Sequence, residues 1–149
     1  MKEATTRFLK YRPRAKYIEN VEHRPNTNYK QRECISMSVV ESKNFGTDFI
    51  SGWLVADYNE SINATPIIHH CWNIDKDGTH YDTIPVIDKR YDYVYDPDAN
   101  KPYRNGKYNY ISPVFYLTDT KLKIIIQDGK KATITKEEHT RFFNEHKGV

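Results

Sequence analysis

The stretch HHCWNIDKDGTHYDTIP, residues 69–85, decides the fold of this 149-residue chain. The residues on either side of the tripeptide KDG, residues 76–78, are rich in β-branched and aromatic types, which favour strands. An Asp-Gly pair between two such runs is typical of a hairpin turn. We therefore predict two antiparallel strands, residues 67–75 and 79–86, joined by this turn.

Strand alternation separates the two adjacent histidines of this stretch. Successive side chains of a strand point to opposite faces, so His70 shares a face with Trp72, whereas His69 points the other way with Cys71. One catalytic centre or metal ion can therefore use either histidine, but not both.

The hairpin also predicts a partner for His70. A turn at residues 76–78 brings Asp82 alongside His70, where a carboxylate would orient the imidazole and stabilise its protonated form. The alternative is that His70 is a hydrogen-bonded residue of the core.

Outward from the hairpin, the pattern predicts an α+β domain on an antiparallel sheet. Upstream we predict a helix that contains Cys34 in its first turns and stops at the NFG tripeptide, followed by a strand that bends near Gly52. Downstream we predict a tyrosine-rich loop, two strands paired as a hairpin, and a C-terminal helix with Thr135 and Glu138 as a capping box. The predicted ranges are 29–43 (helix), 44–46 (stop), 47–58 (strand), 88–108 (loop), 108–117 and 121–129 (hairpin across 118–120) and 136–146 (helix).

The length predicts one domain with three parts: an N-terminal arm at 1–28 with one short helix lying over the core, a central part at 29–86, and the remainder at 87–149. We find no apolar run long enough to span a membrane and no apolar stretch typical of a secretory signal. We therefore expect a soluble, cytoplasmic protein in which both cysteines are reduced and which has no membrane partner.

The formal net charge is only +3, but basic residues cluster in RFLKYRPRAK, residues 7–16. Such a run is usually a solvated surface, and the alternative is a contact for nucleic acid or an acidic partner.

Cys34 supplies a candidate nucleophile for the His70 site. The N-terminal end of a helix lowers a thiol pKa, and a neighbouring imidazolium lowers it further. Cys34, His70 and Asp82 would then provide a thiolate, a general acid–base and an orienting carboxylate from three consecutive elements. The alternative for Cys34 is a small buried hydrophobe on the inner face of the helix.

Metal and cofactor sites are less favoured. A metal site would need His69, Cys71 and His80 to meet on the face opposite His70, but no spacing typical of zinc is present. The chain also lacks a phosphate-binding glycine loop, a nucleophile elbow and a dinucleotide fingerprint. We therefore expect neither a metal nor a cofactor.

The order of these residues resembles the papain-like cysteine hydrolases, specifically their transglutaminase-like branch. The matching segments, within residues 28–86, are RECISMS (32–38), SGWLV (51–55), HCWN (70–73) and YDTIP (81–85). The resemblance implies a cysteine-bearing helix packed on an antiparallel sheet, with Cys34 as nucleophile, His70 as general base and acid, and Asp82 as orienting residue.

An acyl-transfer site also needs donors for the developing oxyanion. The backbone N–H of Cys34 is one candidate, and the side-chain amides of Gln31 and Asn28 are others. The alternative for both side chains is that they cap the helix. Trp72 is expected to shield His70 from water and Trp53 to pack in the core, while Asn73 points away from the site.

Three functions remain open. The first is a cysteine hydrolase or acyltransferase acting on a peptide, a protein or a small amide or thioester, with specificity in the arm, the 58–66 loop and the 88–108 loop. The second is a non-catalytic binding or inhibitory protein on the same fold, favoured by the tyrosine-rich loop, the basic arm and Glu33 beside the cysteine. The third, less favoured, is nucleic-acid binding through the basic run and stacked tyrosines.

Overall fold

The predicted α+β class is confirmed, and strands dominate it. The computed structural model describes residues 1–29, 34–85, 90–97, 99, 103–104, 107–108, 114–119, 122–125 and 131–134. Its elements are α1 (Glu3–Leu9), β1 (Lys16–Ile18), β2 (Val21–His23), α2 (Cys34–Phe45), β3 (Asp48–Val55), β4 (Thr65–Ile74), β5 (His80–Asp82), β6 (Asp92–Tyr95), β7 (Tyr103–Arg104), β8 (Lys107–Tyr108), β9 (Val114–Leu117), β10 (Leu122–Ile125) and β11 (Lys131–Ile134).

The predicted hairpin forms between β4 and β5, which pair antiparallel with Asn73 opposite Tyr81. Its turn is closed by a hydrogen bond of 3.0 Å from the Gly78 N–H to the Asp75 carbonyl. The Asp75 carboxylate accepts two more backbone N–H groups, each at 3.0 Å, from Asp77 and Thr79. Gly78 has φ of +82°, a conformation that a residue with a side chain rarely adopts. The turn therefore depends on a glycine at this position.

The main sheet has the order β1-β6-β3-β4-β9-β10-β11 and branches at β4. On one side β4 pairs with β3 along residues 67–74. On its other side, residues 65–68 pair with β9, and residues 73–74 pair with β5. In the described part of the chain, the edge of β4 at residues 69–72 therefore has no strand partner on that side. The neighbours in the sheet are antiparallel, as predicted, except that β2 runs parallel to β5.

The two faces of the sheet carry different cores. We call the side of His70 and Trp72 the His70 face, and the side of His69, Cys71 and Asn73 the Cys71 face. The Cys71 face holds a cluster around Trp53, into which α1 inserts Phe8 with 0 % exposure. The His70 face holds a smaller cluster of Leu54, Trp72 and Tyr93.

Helix α2 packs on the Cys71 face. The Nδ2 group of Asn73 donates to the Ser38 carbonyl of the helix at 2.9 Å. The helix ends at Phe45, and Gly46, with φ of +67°, donates its N–H to the Ser42 carbonyl at 2.9 Å. The predicted stop is confirmed, but the predicted start at residue 29 is wrong, because Tyr29 lies in a turn closed by its N–H and the Asn26 carbonyl.

Gly52 does not bend its strand. The pairing of β3 with β4 continues in one register from Asp48 to Val55, so the bend predicted near Gly52 is not found. A Cβ atom at this position would lie 2.1 Å from the Val94 carbonyl oxygen and 2.6 Å from Cη2 of Trp72. The glycine is required by the close approach of these two groups.

Two segments predicted as irregular contribute strands to the sheet. The arm at 1–28 contains not only α1 but also β1 and β2. The loop predicted at 88–108 contains β6, which pairs with both β1 and β3, and the two short strands β7 and β8. These strands have four residues or fewer and lie among Asp, Pro and Gly, so their sequence favours loops until a sheet offers them partners.

The predicted hairpin after residue 108 is confirmed as β9 and β10, with Leu117 opposite Leu122, and β11 adds a further strand. The predicted C-terminal helix and its capping box lie outside the described residues. No helix in the described part of the chain is long and apolar enough to cross a membrane.

Candidate active site

His70 and Asp82 meet on the His70 face, as the hairpin predicts. Nε2 of His70 lies 2.6 Å from Oδ2 of Asp82. His70 comes from the middle of β4 and Asp82 from the end of β5, and both are buried, with residue exposures of 6 % and 1 %. The bond uses Nε2, so Asp82 fixes the orientation of the ring.

Asp82 is also held by two groups outside β4. The Tyr93 hydroxyl donates to the same Oδ2 atom at 2.7 Å, and the Ile84 backbone N–H donates to Oδ1 at 3.1 Å. Burial raises the pKa of Asp82, but the charge of His70 and the hydrogen bonds from His70, Tyr93 and Ile84 outweigh burial and hold the pKa below its ordinary 3.8. Asp82 is therefore a fixed, ionised partner that favours an imidazolium at His70.

Trp72 forms a wall beside this pair, as the sequence predicts. Its indole stacks on the His70 ring with 20° between the planes and 6.2 Å between the centroids. It also meets the Tyr93 ring edge-on at 5.2 Å. With 1 % exposure, Trp72 keeps water from this side of the imidazole.

Cys34 is the first residue of α2, which fits the prediction that it lies near the start of a helix. Tyr81, the neighbour of Asp82, points to the Cys71 face, where its hydroxyl donates to the Glu41 carboxylate of α2 at 3.0 Å. With the Asn73 bond to Ser38, this contact fixes the body of α2 on the face opposite His70.

A buried carboxylate anchors α2 to its surroundings. Glu41 accepts hydrogen bonds from Tyr29 at 2.9 Å and from Tyr81 at 3.0 Å, one on each oxygen. Burial, followed by the hydrogen bond and charge of Glu41, raises the pKa of Tyr29 to about 12. The helix that begins at Cys34 is thereby tied both to β5 and to the turn before it.

The candidate oxyanion donors are not brought to the site by any described contact. Asn28 is exposed, in a turn where its backbone N–H donates to the Asn26 side chain at 3.0 Å. Gln31 lies outside the described residues. Both remain predictions.

The three side chains predicted as possible metal ligands do not lie on one face of the sheet. His69 and Cys71 point to the Cys71 face, where Cys71 lies 3.4 Å from the Ser51 hydroxyl and His69 packs edge-on against Trp53. His80 points to the other face, where its Nδ1 accepts a hydrogen bond from Trp72 at 3.0 Å. The prediction that these three side chains can meet on one face is wrong, because His80 lies opposite Ile74 in the β4–β5 pairing.

Two arginines of the basic run at residues 7–16 bind other parts of the protein. Arg12 is buried, with its Nε 2.6 Å from the Asp96 carboxylate, and Arg7 donates to the Thr118 and Asp119 carbonyls. Fewer of these cations are therefore available to a polyanion than the sequence suggests.

Two clefts of about 450 Å³ each flank residues 57–58, beyond the end of β3. One lies between the 56–60 segment and Arg90 and Tyr91, and the other between the same segment and α1. Pro66, in the first cleft, is on the same face of β4 as His70. The three regions in which we predicted specificity each contribute residues to these clefts, together with residues 56–57 and Asp119.

Tyr93 is the residue of the site that the sequence reasoning missed. The alternation of Tyr93, Val94 and Tyr95 in DYVY is the signal of a strand with its tyrosines on one face, but the surrounding Asp and Pro residues pointed to a loop.

No family model, no curated protein and no solved structure matches this chain.

Proposed function

We propose that this protein is a small cysteine-dependent hydrolase or acyltransferase acting on an amide or thioester. Cys34 is the nucleophile, His70 the general base and acid, and Asp82 the orienting carboxylate, on a transglutaminase-like variant of the papain-like fold. The observation that carries the proposal is the buried 2.6 Å contact between His70 and Asp82, with Tyr93 on the same carboxylate oxygen.

The chemistry follows from these groups. The Cys34 thiolate attacks the carbonyl carbon, and the resulting oxyanion is stabilised by the backbone N–H of Cys34. The His70 imidazolium gives its Nδ1 proton to the leaving amine or thiol as the tetrahedral intermediate collapses to a thioester. His70 then takes a proton from water or an acceptor amine, which attacks the thioester and regenerates Cys34.

The position of α2 sets a condition on this mechanism. Since the body of the helix packs on the Cys71 face, the thiol has to approach His70 past the edge of β4 at residues 69–72. That edge has no strand partner among the described residues, between the ends of β5 and β9. The start of α2, rather than its body, must therefore lie at this edge.

The packing of the helices and the burial of His70 favour a second candidate, a binding or inhibitory protein without turnover. Both described helices pack on the Cys71 face, and His70 is only 6 % exposed. In this candidate the His70–Asp82–Tyr93 network is part of the core, and the clefts beside residues 57–58 form the interface.

Thiol alkylation tests the proposed function and separates the two candidates. A Cys71→Ser variant leaves Cys34 as the single thiol, with the new hydroxyl near Ser51. At pH 6 only about 0.3 % of an ordinary thiol is ionised, so a Cys–His ion pair should react with iodoacetamide at least about tenfold faster than free cysteine. Adding His70→Gln should remove this excess and adding Asp82→Asn should reduce it.

Equal rates for Cys34 and free cysteine at pH 6, in protein that circular dichroism shows to be folded, would rule out the nucleophile. An excess rate that survives His70→Gln would rule out the ion pair. Either result favours the binding protein, for which Cys34→Ala should leave partner binding intact.

A further inference from the structure

Trp72 is fixed at both ends of its indole. At one end, its Nε1–H donates to Nδ1 of His80 at 3.0 Å. At the other, Cη2 lies so close to Gly52 that even a methyl group there would come within 2.6 Å of it. Between these two points, the ring system stacks on His70 and meets Tyr93 edge-on.

The bond from Trp72 to His80 requires a neutral imidazole. An indole N–H can only donate, so Nδ1 of His80 must be the unprotonated nitrogen and Nε2 must carry the proton. Protonation of Nδ1 would place two donors against each other and break the bond. Burial lowers the pKa of His80 below its ordinary 6.5, in the direction that this geometry demands.

Other titratable groups on the His70 face belong to the neighbouring strands. They are Lys16 on β1, His23 on β2, Asp48 on β3, His70 on β4, Asp82 on β5, and Tyr93 and Tyr95 on β6. The nearby charges of Glu22 and Asp75 are both directed to Arg24, at 2.7 Å and 3.1 Å. Arg24 also lies over the ring of Tyr81, whose side chain points to the Cys71 face. Burial is the cause of the lowered pKa of His80, whereas the Asp82 carboxylate favours the protonated form of His70.

We propose that His80 is a positioning residue for the candidate site: its neutral form holds Trp72 over the His70–Asp82 pair, and its protonation releases the indole. His80 touches neither His70 nor Asp82 in any described contact, so it acts through Trp72. The consequence for reactivity rests on the proposed function, whereas the hydrogen bond and its loss in acid do not. If both hold, the reactivity of Cys34 falls in mild acid while the His70–Asp82 pair is still ionised.

Indole N–H signals in ¹H–¹⁵N spectra test the bond directly. The chain has two tryptophans, and Trp53, which donates to Asp96 at 2.8 Å, serves as the internal reference. Between pH 8 and pH 5 the Trp72 signal should move, with a midpoint below 6.5, to the position of an indole without this bond. The indole N–H signal is connected to the other protons of its own ring, and the cross-peak of the proton on Cη2 to Gly52 identifies the ring as Trp72, so the assignment needs no tryptophan variant.

Two substitutions at His80 provide matched controls. In His80→Asn, the side-chain oxygen replaces Nδ1 as an acceptor and does not titrate, so the Trp72 signal should stay near its wild-type position from pH 8 to pH 5. In His80→Leu the acceptor is lost, and the signal should have the acid position at every pH. A wild-type signal that does not move, or one that titrates equally in His80→Asn, would overturn the proposal.

Alkylation of Cys34 in the Cys71→Ser background links the bond to the site. Between pH 7.5 and pH 5.5, the alkylation rate of the protein with His80 should fall about threefold or more further than that of His80→Asn. Equal pH dependence of the two rates would overturn the positioning role. If the indole signal titrates as expected but no variant exceeds the free thiol at any pH, the proposed function fails and the His80–Trp72 bond stands.

Discussion

Gly52 lies directly opposite His70 in the pairing of β3 with β4. The absence of a side chain lets the Trp72 indole lie across the strand and lets the Val94 carbonyl of β6 approach the same backbone. A glycine within a strand usually weakens it, so its presence here is explained by what packs against it. At the scale of single residues, this glycine shapes the wall beside His70.

Gly52→Ala should therefore lower the free energy of unfolding by about 3 kcal/mol, near the upper end for overpacking a core. The new Cβ would meet a backbone oxygen at 2.1 Å, which cannot move without disturbing β6. Chemical denaturation measures the loss. Gly78→Ala is the control: nothing lies within 4 Å of its Cβ, so it should cost only about 1 kcal/mol, from its positive φ. Equal losses would show that space at Gly52 is not limiting.

The residues of the candidate site differ in how far the sequence predicts them. Strand alternation and the Asp-Gly turn suffice to place His70 beside Asp82, because both depend on local geometry. Tyr93 shares the Asp82 oxygen but comes from β6, whose place in the sheet depends on partners distant in sequence. Its contribution follows from tertiary structure, which no local pattern contains.

At the scale of elements, Glu41 determines how α2 is attached. Its carboxylate accepts the hydroxyls of Tyr29 and Tyr81, which belong to the turn at 26–29 and to β5. The body of the helix is thus fixed to the chain that leads into it and to the strand that ends at Asp82. A shift of α2 would have to break these bonds, so the network limits where Cys34 can lie.

This network predicts a loss of stability in alkali. The pKa of Tyr29 is raised to about 12, and burial raises that of Tyr81 as well. The unfolded chain loses these protons near pH 10 while the folded chain keeps them, so their contribution to stability is complete below pH 10 and declines from pH 10 to about 12. Urea midpoints at pH 8, 10 and 11 should fall accordingly.

Tyr29→Phe identifies the source of this decline. At pH 8 it should destabilise the fold by about 1–2 kcal/mol, because Glu41 loses one of its two donors. Between pH 10 and pH 11 its stability should fall less than that of the wild type. Tyr58→Phe, at a side chain that is 53 % exposed, should follow the wild-type slope. A Tyr29→Phe slope as steep as the wild type would exclude Tyr29 as the group responsible.

Elements were predicted well where a turn or stop residue marks their ends and poorly where a short strand has no such mark. The hairpin of β4 and β5 and the end of α2 have turn or stop residues that act locally, and both are confirmed. Strands β1, β2 and β6 are three or four residues long, so their pairing, rather than their sequence, makes them strands.

At the scale of the whole molecule, a buried ion pair joins the N-terminal segment to the sheet. The Arg12 side chain is 5 % exposed, and its Nε lies 2.6 Å from Oδ2 of Asp96, at the end of β6. The same oxygen accepts the Trp53 indole N–H of β3 at 2.8 Å. A basic run that composition would assign to the surface is thus partly internal, because a carboxylate brought close by the fold compensates its charge.

Arg12→Met should destabilise the fold by about 3–5 kcal/mol, because it removes a buried cation that lies 2.6 Å from the buried Asp96 carboxylate. Lys10→Met makes the same change of charge in the same run at an exposed position, and should change stability by less than about 0.5 kcal/mol. Asp96→Asn keeps an acceptor for Trp53 but removes the charge, so adding it to Arg12→Met should recover much of the loss. Denaturant unfolding of the wild type, Arg12→Met, Asp96→Asn and their combination closes the double-mutant cycle. Additive losses in that cycle would mean that Arg12 and Asp96 stabilise the protein independently, in which case the ion pair does not join the N-terminal segment to the sheet.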